Sequence, residues 1–445
     1  MSYKMQRRSL LATAAASVLA GCGEGTWLGE SSAPPLPGER KAVLLIDDQL
    51  SADPRIATLN VTLPPPERNA AWPQSGGNAT HAMQHVAAAE TITEAWRTGI
   101  GAAAGGRSWI LTGPVVAGGM VYAVDADGIA VALNASDGKQ VWEFEAENVE
   151  VIDRLVSGAI AVADGRAYVV AGNGMIFGLD AGAGTELWRR QLQAPMRTTP
   201  TLIAGMVLAP TDDSQLYALD GATGDILWQH AGLFEQAGML GGASPAATDE
   251  IVVAAYGSGE VVALSLRSGQ PIWNETVVRP RRTLAIGAIS DIVADPVISD
   301  GRVIVAGASG EMAAFDLARG DRLWTADVTS TQTPWVAGSF IYIITERNEL
   351  VCMLQQGGRI RWISPLPTLV DPTNIDSRRI RWVGPILVSD RLLVAGSEGD
   401  IYSVSPYTGE VLGKTAAGGP VSVPMAVADG TVFVLTDGAK VIAFR

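Results

Sequence analysis

The sequence predicts an all-β fold, an eight-bladed β-propeller of four-stranded antiparallel blades whose ring is closed by an N-terminal strand. Three observations predict it. A phrase ending Gly-x-x-x-Trp recurs along the chain, and each copy follows a pair of apolar runs joined by a tight turn. The final unit lacks one strand, which an earlier part of the chain can supply.

The phrase is clearest as Tyr217-Ala218-Leu219-Asp220-Gly221-Ala222-Thr223-Gly224-Asp225-Ile226-Leu227-Trp228. It recurs as Val131-Ala132-Leu133-Asn134 through Gly138 to Trp142, and as Gly178-Leu179-Asp180 through Gly184 to Trp188. Further copies run from Gly269 to Trp273, Gly320 to Trp324 and Gly358 to Trp362. A last one, Tyr407-Thr408-Gly409-Glu410, has Gly413 in the place of the Trp. Upstream halves include Pro114 with Gly118-Gly119-Met120-Val121-Tyr122 and Pro296 with Asp300-Gly301-Arg302-Val303. Pro385 with Asp390-Arg391-Leu392, and Pro424 with Asp429-Gly430-Thr431-Val432-Phe433, are others. Alternating apolar positions bounded by Asp-Gly and Thr-Gly pairs are hairpin signals, because these turns need residues that accept positive φ. Each unit therefore reads as four strands, the last ending in Trp, over about 40–50 residues, the pattern of one propeller blade.

Seven units carry both halves, opening near Thr112, Ser157, Thr198, Ser244, Asp295, Thr333 and Gly384. An eighth opens near Val423 and holds three strands. The missing fourth is Thr91-Ile92-Thr93-Glu94-Ala95-Trp96, a Trp-terminated strand with no upstream half. Pairing it with the last unit closes the ring and removes the exposed edges of an open array. Trp96, Trp142, Trp188, Trp228, Trp273, Trp324 and Trp362 are read as structural: each ring is expected against a small Gly turn of the adjacent blade.

The composition suits this fold. Hydrophobic residues are 47% of the 445, charged residues only 18%, and Gly (50) and Pro (24) supply turns. The net charge is −14, with no basic stripe, so the surface repels phosphate backbones and nucleic acid is not an expected partner.

Residues 1–21 read as a signal peptide: Lys4, Arg7 and Arg8, then the small apolar run Leu10 to Leu19, closing on Leu19-Ala20-Gly21-Cys22. That ending resembles the lipobox of bacterial lipoproteins, in which Cys22 becomes the first mature residue and carries acyl chains, a stable membrane anchor. Gly23 follows, where the lipoproteins kept in the inner membrane tend to have Asp, so the resemblance implies the outer membrane. Arg7-Arg8 leaves the general secretory and twin-arginine routes both open. Residues 22–71 read as the lipidated Cys22, a flexible Gly/Ser/Pro-rich tether and an extended approach segment, and residues 72–445 as the propeller.

The Ala-Leu-Asp-x-x-x-Gly-x-x-x-Trp repeats resemble those of propellers related to pyrroloquinoline-quinone dehydrogenases, and Trp72-Pro73-Gln74-Ser75-Gly76-Gly77-Asn78 resembles the start of their first blade. A lipobox followed by a single eight-bladed propeller resembles the BamB family, lipoprotein subunits of the outer-membrane β-barrel assembly machine. That resemblance implies a non-catalytic scaffold, docked on periplasmic domains of the barrel assembler through two neighbouring inter-blade loops, with unfolded outer-membrane proteins as a second class of partner. The matching segments precede Pro245 and Pro296, and place partner contacts at Met239, Leu240, Gly241, Ser290, Asp291 and Val293. Asp291 stands five residues before its Pro, where the family has an acid that pairs with the partner. The neighbouring acid is replaced by Val293, and the family's Leu-x-Leu-Arg reads Ala237-Gly238-Met239-Leu240.

Two other readings stay open at this level: a quinone-dependent dehydrogenase and a periplasmic scaffold for some other partner. Against the enzyme, Cys22 and Cys352 are far apart, where those enzymes carry adjacent cysteines under the cofactor. Asp125, Asp127, Asp212 and Asp213 fall at turns, where Asp is common for backbone reasons. His81 and His85 have no third ligand nearby, and Cys352 reads as a small buried residue, so no catalytic residue, cofactor or metal is assigned.

Overall fold

Strands of the first, second and third kind in each unit are so short and so apolar that they can be buried only between other sheets. Ile341-Tyr342-Ile343-Ile344 and Ala130-Val131-Ala132-Leu133 are buried on both faces. The structure, a computed structural model, describes residues 49–106, 108–146, 158–233, 242–277, 292–308 and 311–445. The chain divides into two units, Met1–Gln49 and Leu50–Arg445, and among the described residues every strand belongs to the second. The readings of residues 1–21 and of Cys22 fall outside the described residues.

Among the described residues there are eight four-stranded antiparallel sheets, seven of them consecutive in sequence. Blades 1 to 7 begin their inner strands at Val115, Ala159, Thr201, Ala246, Val297, Trp335 and Trp382. Blade 8 takes its three inner strands from Ala426–Ala428, Thr431–Thr436 and Lys440–Phe444, and its outer strand from Glu94–Gly99. The closing pair runs Glu94 to Phe444, Trp96 to Ala443 and Gly99 to Lys440. The ring closes as the repeat count requires.

The outer strands do not end at Trp. The closing strand runs three residues beyond Trp96, and Gln140–Phe144 two beyond Trp142. A β-bulge explains the difference: Ala132 faces Trp142 while Leu133 faces Gln140, so Val141 is the extra residue and pairing resumes past the Trp. The same shift recurs in every blade, at the residue before each Trp and at Leu412 before Gly413. It twists the exposed edge of each blade, which discourages edge-to-edge pairing with other chains.

Each Trp ring lies on the turn of the next blade. Trp142 Nε1 donates to Ala181 O (2.8 Å), and a β-carbon on Gly184 would come 2.6 Å from the ring's Cδ2. Equivalent pairs are Trp188 on Gly224, Trp228 on Gly269, Trp273 on Gly320, Trp324 on Gly358 and Trp362 on Gly409. Trp96 on Gly138 joins blade 8 to blade 1. All seven glycines have positive φ, so glycine is required there twice, by the backbone and by the ring. The eighth seam, blade 7 to blade 8, lacks both parts. Gly413 stands in place of Trp, and the third and outer strands of blade 8 come from distant parts of the chain, with no turn to receive a ring.

The axis of the ring is filled by the chain itself. Segment Asn69–Ala89 circles it and bonds to each blade in turn, near the end where the inner strand turns back. Trp72 pairs with Val116 of blade 1, Pro73 O accepts Val162 N of blade 2, and Gln74 Oε1 accepts Leu202 N of blade 3. Ala79 O and Thr80 O accept Ala247 N and Ile298 N of blades 4 and 5, and Gln84 Oε1 accepts Gly338 N of blade 6. Val86 brackets Leu387 and Ser389 of blade 7, and Ala89 N donates to Gly430 O of blade 8. The inner strands have one edge free at the axis, and this spiral bonds to it at one or two groups in each blade.

Candidate docking face

In an antiparallel four-stranded blade the outer strand ends on the face where the next inner strand begins. The described ends of the crossovers between blades therefore all lie on one face, and the Gly turns on the other. The segments singled out for partner contact belong to the crossovers of blade 3 to 4 and blade 4 to 5, whose described ends share that face. Met239, Leu240, Gly241, Ser290 and Asp291 lie outside the described residues. Val293 is half-buried, and Ile292 beside it is buried.

The points where these two crossovers land are tied together. Ser244, which opens blade 4, donates its N–H to Asp295 Oδ1 (2.7 Å), and Asp295 opens blade 5. The other oxygen accepts Ser75 Oγ–H from the axial spiral (2.6 Å), and Asp295 N donates to Thr333 Oγ1 of blade 6 (3.1 Å). Thr198 of blade 3 joins through its hydroxyl to that of Ser244 (2.7 Å). A buried carboxylate is stable when its oxygens are hydrogen-bonded, and Asp295 spends both on positioning the two landings. Sequence reasoning marked Asp295 only as the start of a repeat unit. The spacing of Ser244 and Asp295, each just before its Pro, is the signal that could have found the pair.

The points of departure have their own network. Blade 3 leaves through His230, whose Nδ1 lies 3.0 Å from Tyr256 Oη of blade 4, the rings stacked 6.2 Å apart. Burial holds the His230 imidazole below its ordinary pKa, with Glu260 opposing, and pushes the Tyr256 phenol up. Glu260, which sequence reasoning also passed over, is buried beside them.

The remaining candidates are structural in their contacts. His81 Nδ1 donates to Pro296 O (2.8 Å), and His85 Nδ1 donates to Pro64 O (2.7 Å) while its Nε2 accepts Asp390 N–H. Asp125 is buried, accepting the N–H groups of Ala102, Asp127 and Ile129. Cys352 is fully buried opposite Trp362, and burial drives its thiol far above the usual range. Among the described residues no group of three His, Cys, Asp or Glu could hold a metal ion.

The family described as outer membrane protein assembly factor BamB matches residues 79–154, 148–364 and 375–445. The chain belongs to the BamB family. Members similar to it include the BamB of Yersinia pestis, 24% identical over 359 residues, covering 77% of this chain and 88% of the relative. The Escherichia coli K12 BamB is 27% identical over 400 residues, covering 78% of this chain and 89% of the relative. Among solved structures, BamB from Moraxella catarrhalis superposes with a TM-score of 0.68 at 18% identity, covering 80% of this chain and all of that one. Quinohemoprotein alcohol dehydrogenase from Comamonas testosteroni superposes at 0.65 and 14% identity, covering 85% and 81%. These structural likenesses speak for the propeller, which BamB family members and dehydrogenases share, and not for the chemistry.

Proposed function

We propose that this protein is a non-catalytic lipoprotein of the outer membrane that assists the assembly of β-barrel outer-membrane proteins. Cys22 carries the anchor, residues 1–21 are removed, and residues 22–71 join the anchor to the propeller. The ring holds periplasmic domains of the barrel assembler through the crossovers containing Met239, Leu240, Gly241, Ser290, Asp291 and Val293. Unfolded client strands are its second class of partner.

The observation that carries this reading is the family match across nearly all of Ala79–Arg445. The two adjacent crossovers land at roots tied through Ser244 and Asp295. Apolar loops beside buried polar anchors suit a protein interface better than a cleft for small molecules.

The test is purification of the full chain from detergent-solubilised outer membrane after mild crosslinking. Recovery of the barrel assembler, with crosslinks mapping to the blade 3/4 and 4/5 crossovers, is the expected result. Recovery of the protein without any assembler overturns the reading. The dehydrogenase alternative is examined by adding quinone cofactor and calcium, when a new absorbance band with dye reduction would displace the scaffold reading.

A further inference from the structure

The crossover from blade 6 to blade 7 is an ordered arm. The outer strand of blade 6, Ile360–Pro365, runs into residues 366–381, which fold back on themselves before blade 7 begins at Trp382. Ile380 N donates to Thr368 O (2.9 Å) and Val370 N to Arg378 O (3.0 Å), with Leu369 bridged to Arg379. The base is stapled to blade 6, where Leu366 N donates to Asn348 O (2.8 Å) and Asn348 Nδ2 to Ile380 O (2.9 Å). The tip is held by its own turns: Asn374 N donates to Asp371 O, Ser377 N to Asn374 O, and Thr373 Oγ1 to Asp371 Oδ1.

This tip presents Ile375, 88% exposed and the most exposed large apolar side chain among the described residues. Behind it, on the returning side, stand Arg378, Arg379 and Arg381, all exposed, and Arg347 is exposed at the base. Arg378 pairs with Glu398 of blade 7 (3.2 Å). Residues 366–381 carry three arginines against Asp371 and Asp376, so the arm is positive on a chain of net charge −14. An apolar group held ahead of arginines suits the interface of an anionic bilayer. The apolar tip passes between headgroups, while the guanidinium groups stay among the phosphates.

The position of the arm favours the same occupant. Leu50, the first residue of the second unit, packs against the same buried cluster as Ile360 and Ile363 of the strand that leads into the arm. Asp53 N donates to Ile360 O (2.8 Å). The segment leading back to the proposed anchor thus joins the propeller at blade 6, the blade from which the arm projects. The family match stops at residue 364 and resumes at 375, so most of the arm falls between the matched stretches.

We propose that residues 366–381 form a membrane-docking arm, in which Ile375 enters the headgroup region of an anionic phospholipid bilayer and Arg379 and Arg381 bind its phosphates. Tether and arm together turn blade 6 toward the membrane and give the ring one orientation there. The biological setting rests on the outer-membrane location proposed above.

The experiment is flotation of the mature chain, residues 22–445 with Cys22→Ser so that no acyl chain contributes, on two kinds of vesicle. One is phosphatidylcholine alone, the other phosphatidylcholine mixed with phosphatidylglycerol. Binding is expected on the mixed vesicles only. It should fall about tenfold in Ile375→Ser and about tenfold in the double variant Arg379→Gln/Arg381→Gln, with the melting temperature unchanged. Ile375→Cys carrying an environment-sensitive dye should shift to the blue on the mixed vesicles, Cys352 being fully buried and out of reach of the label. Equal binding to both vesicles, undiminished binding of the variants, or a dye that does not shift overturns the proposal. Loss of assembler binding in Ile375→Ser, without any vesicle binding by the parent, would make the arm a protein contact and overturns it too. Neither acyl chain nor assembler takes part in the flotation, so it decides on the arm even if the unaltered chain proves to carry no lipid at Cys22.

Discussion

Trp72 and Trp335 stack with ring centroids 6.1 Å apart and planes within 13°, although 263 positions of numbering separate them. Trp72 is paired through its backbone to blade 1 and Trp335 opens blade 6, whose indole also donates to Gln84 O (2.8 Å). The stack fastens the axial spiral to the ring. Both rings are buried, so their apolar surface is withdrawn from water.

Replacing Trp72 by Ala is therefore expected to cost about 3–5 kcal/mol of unfolding free energy, the usual toll of deleting a buried indole. Equilibrium urea denaturation followed by tryptophan fluorescence measures it. A loss under 1 kcal/mol would mean that the spiral is not part of the cooperative unit.

The blade 7/8 seam is the second place to probe. With no Trp and no receiving turn, it is closed by the end of the spiral and the residue just beyond it. Ala88 exchanges hydrogen bonds with Ser389 Oγ, and the Arg391 guanidinium donates to the carbonyls of Ala89 and Glu90. Arg391→Ala leaves those carbonyls without their charged donor and is expected to cost about 2–3 kcal/mol. Hydrogen exchange should rise in residues 86–93 and in Trp382–Ala416 before other blades. Arg391→Lys should recover only part, because an ammonium cannot fork to two carbonyls in the guanidinium's fixed plane.

Glycine at the ring-receiving turns answers two demands, and substitution separates them. Gly184→Ala meets both the positive φ of 71° and the Trp142 ring, and is expected to cost about 2–3 kcal/mol. Gly118→Ala meets a φ of 58° with nothing within 4 Å, and should cost about 1 kcal/mol. Denaturant midpoints of the two variants give the difference, and equal losses would show that the ring contact contributes nothing.

His230 gives a pH signature. Burial holds its folded pKa below the unfolded value near 6.5, so the unfolded chain takes up the proton first as the pH falls. The stability linked to this group is intact above about pH 6.5 and is lost as the pH drops through the folded pKa. Thermal melts at pH 7.5 and pH 5 should show a smaller decrease for His230→Gln than for the unaltered chain. An identical decrease would assign the pH dependence elsewhere.

Much of the architecture was legible in the residues themselves. Turn glycines, alternating or continuous apolar runs and a Trp four residues after each Gly are local features, repeated with a fixed period, and they determined the blade count and the closing strand. Inner strands begin within three residues of the positions read as unit openings, Gly384 being two residues late because the strand starts at Trp382. The bulge before each Trp was not legible, since nothing in Val141 or Leu227 marks it as the unpaired residue.

The hub, the unlocked seam and the contact of Glu260 with blade 3 were decided by tertiary structure alone. The spiral bonds largely through backbone groups, which carry no residue signature, and its partners are spread over eight blades. The Gly413 substitution was visible in the sequence, but not that the turn it would have faced is absent as well. Glu260 looks like any acid beside a turn until blade 3 is packed against blade 4, because only then does the N–H of Leu233 reach its carboxylate. Local periodicity specifies which strands form and in what order; contacts between blades, made by residues far apart in the chain, specify what each exposed or buried group is for.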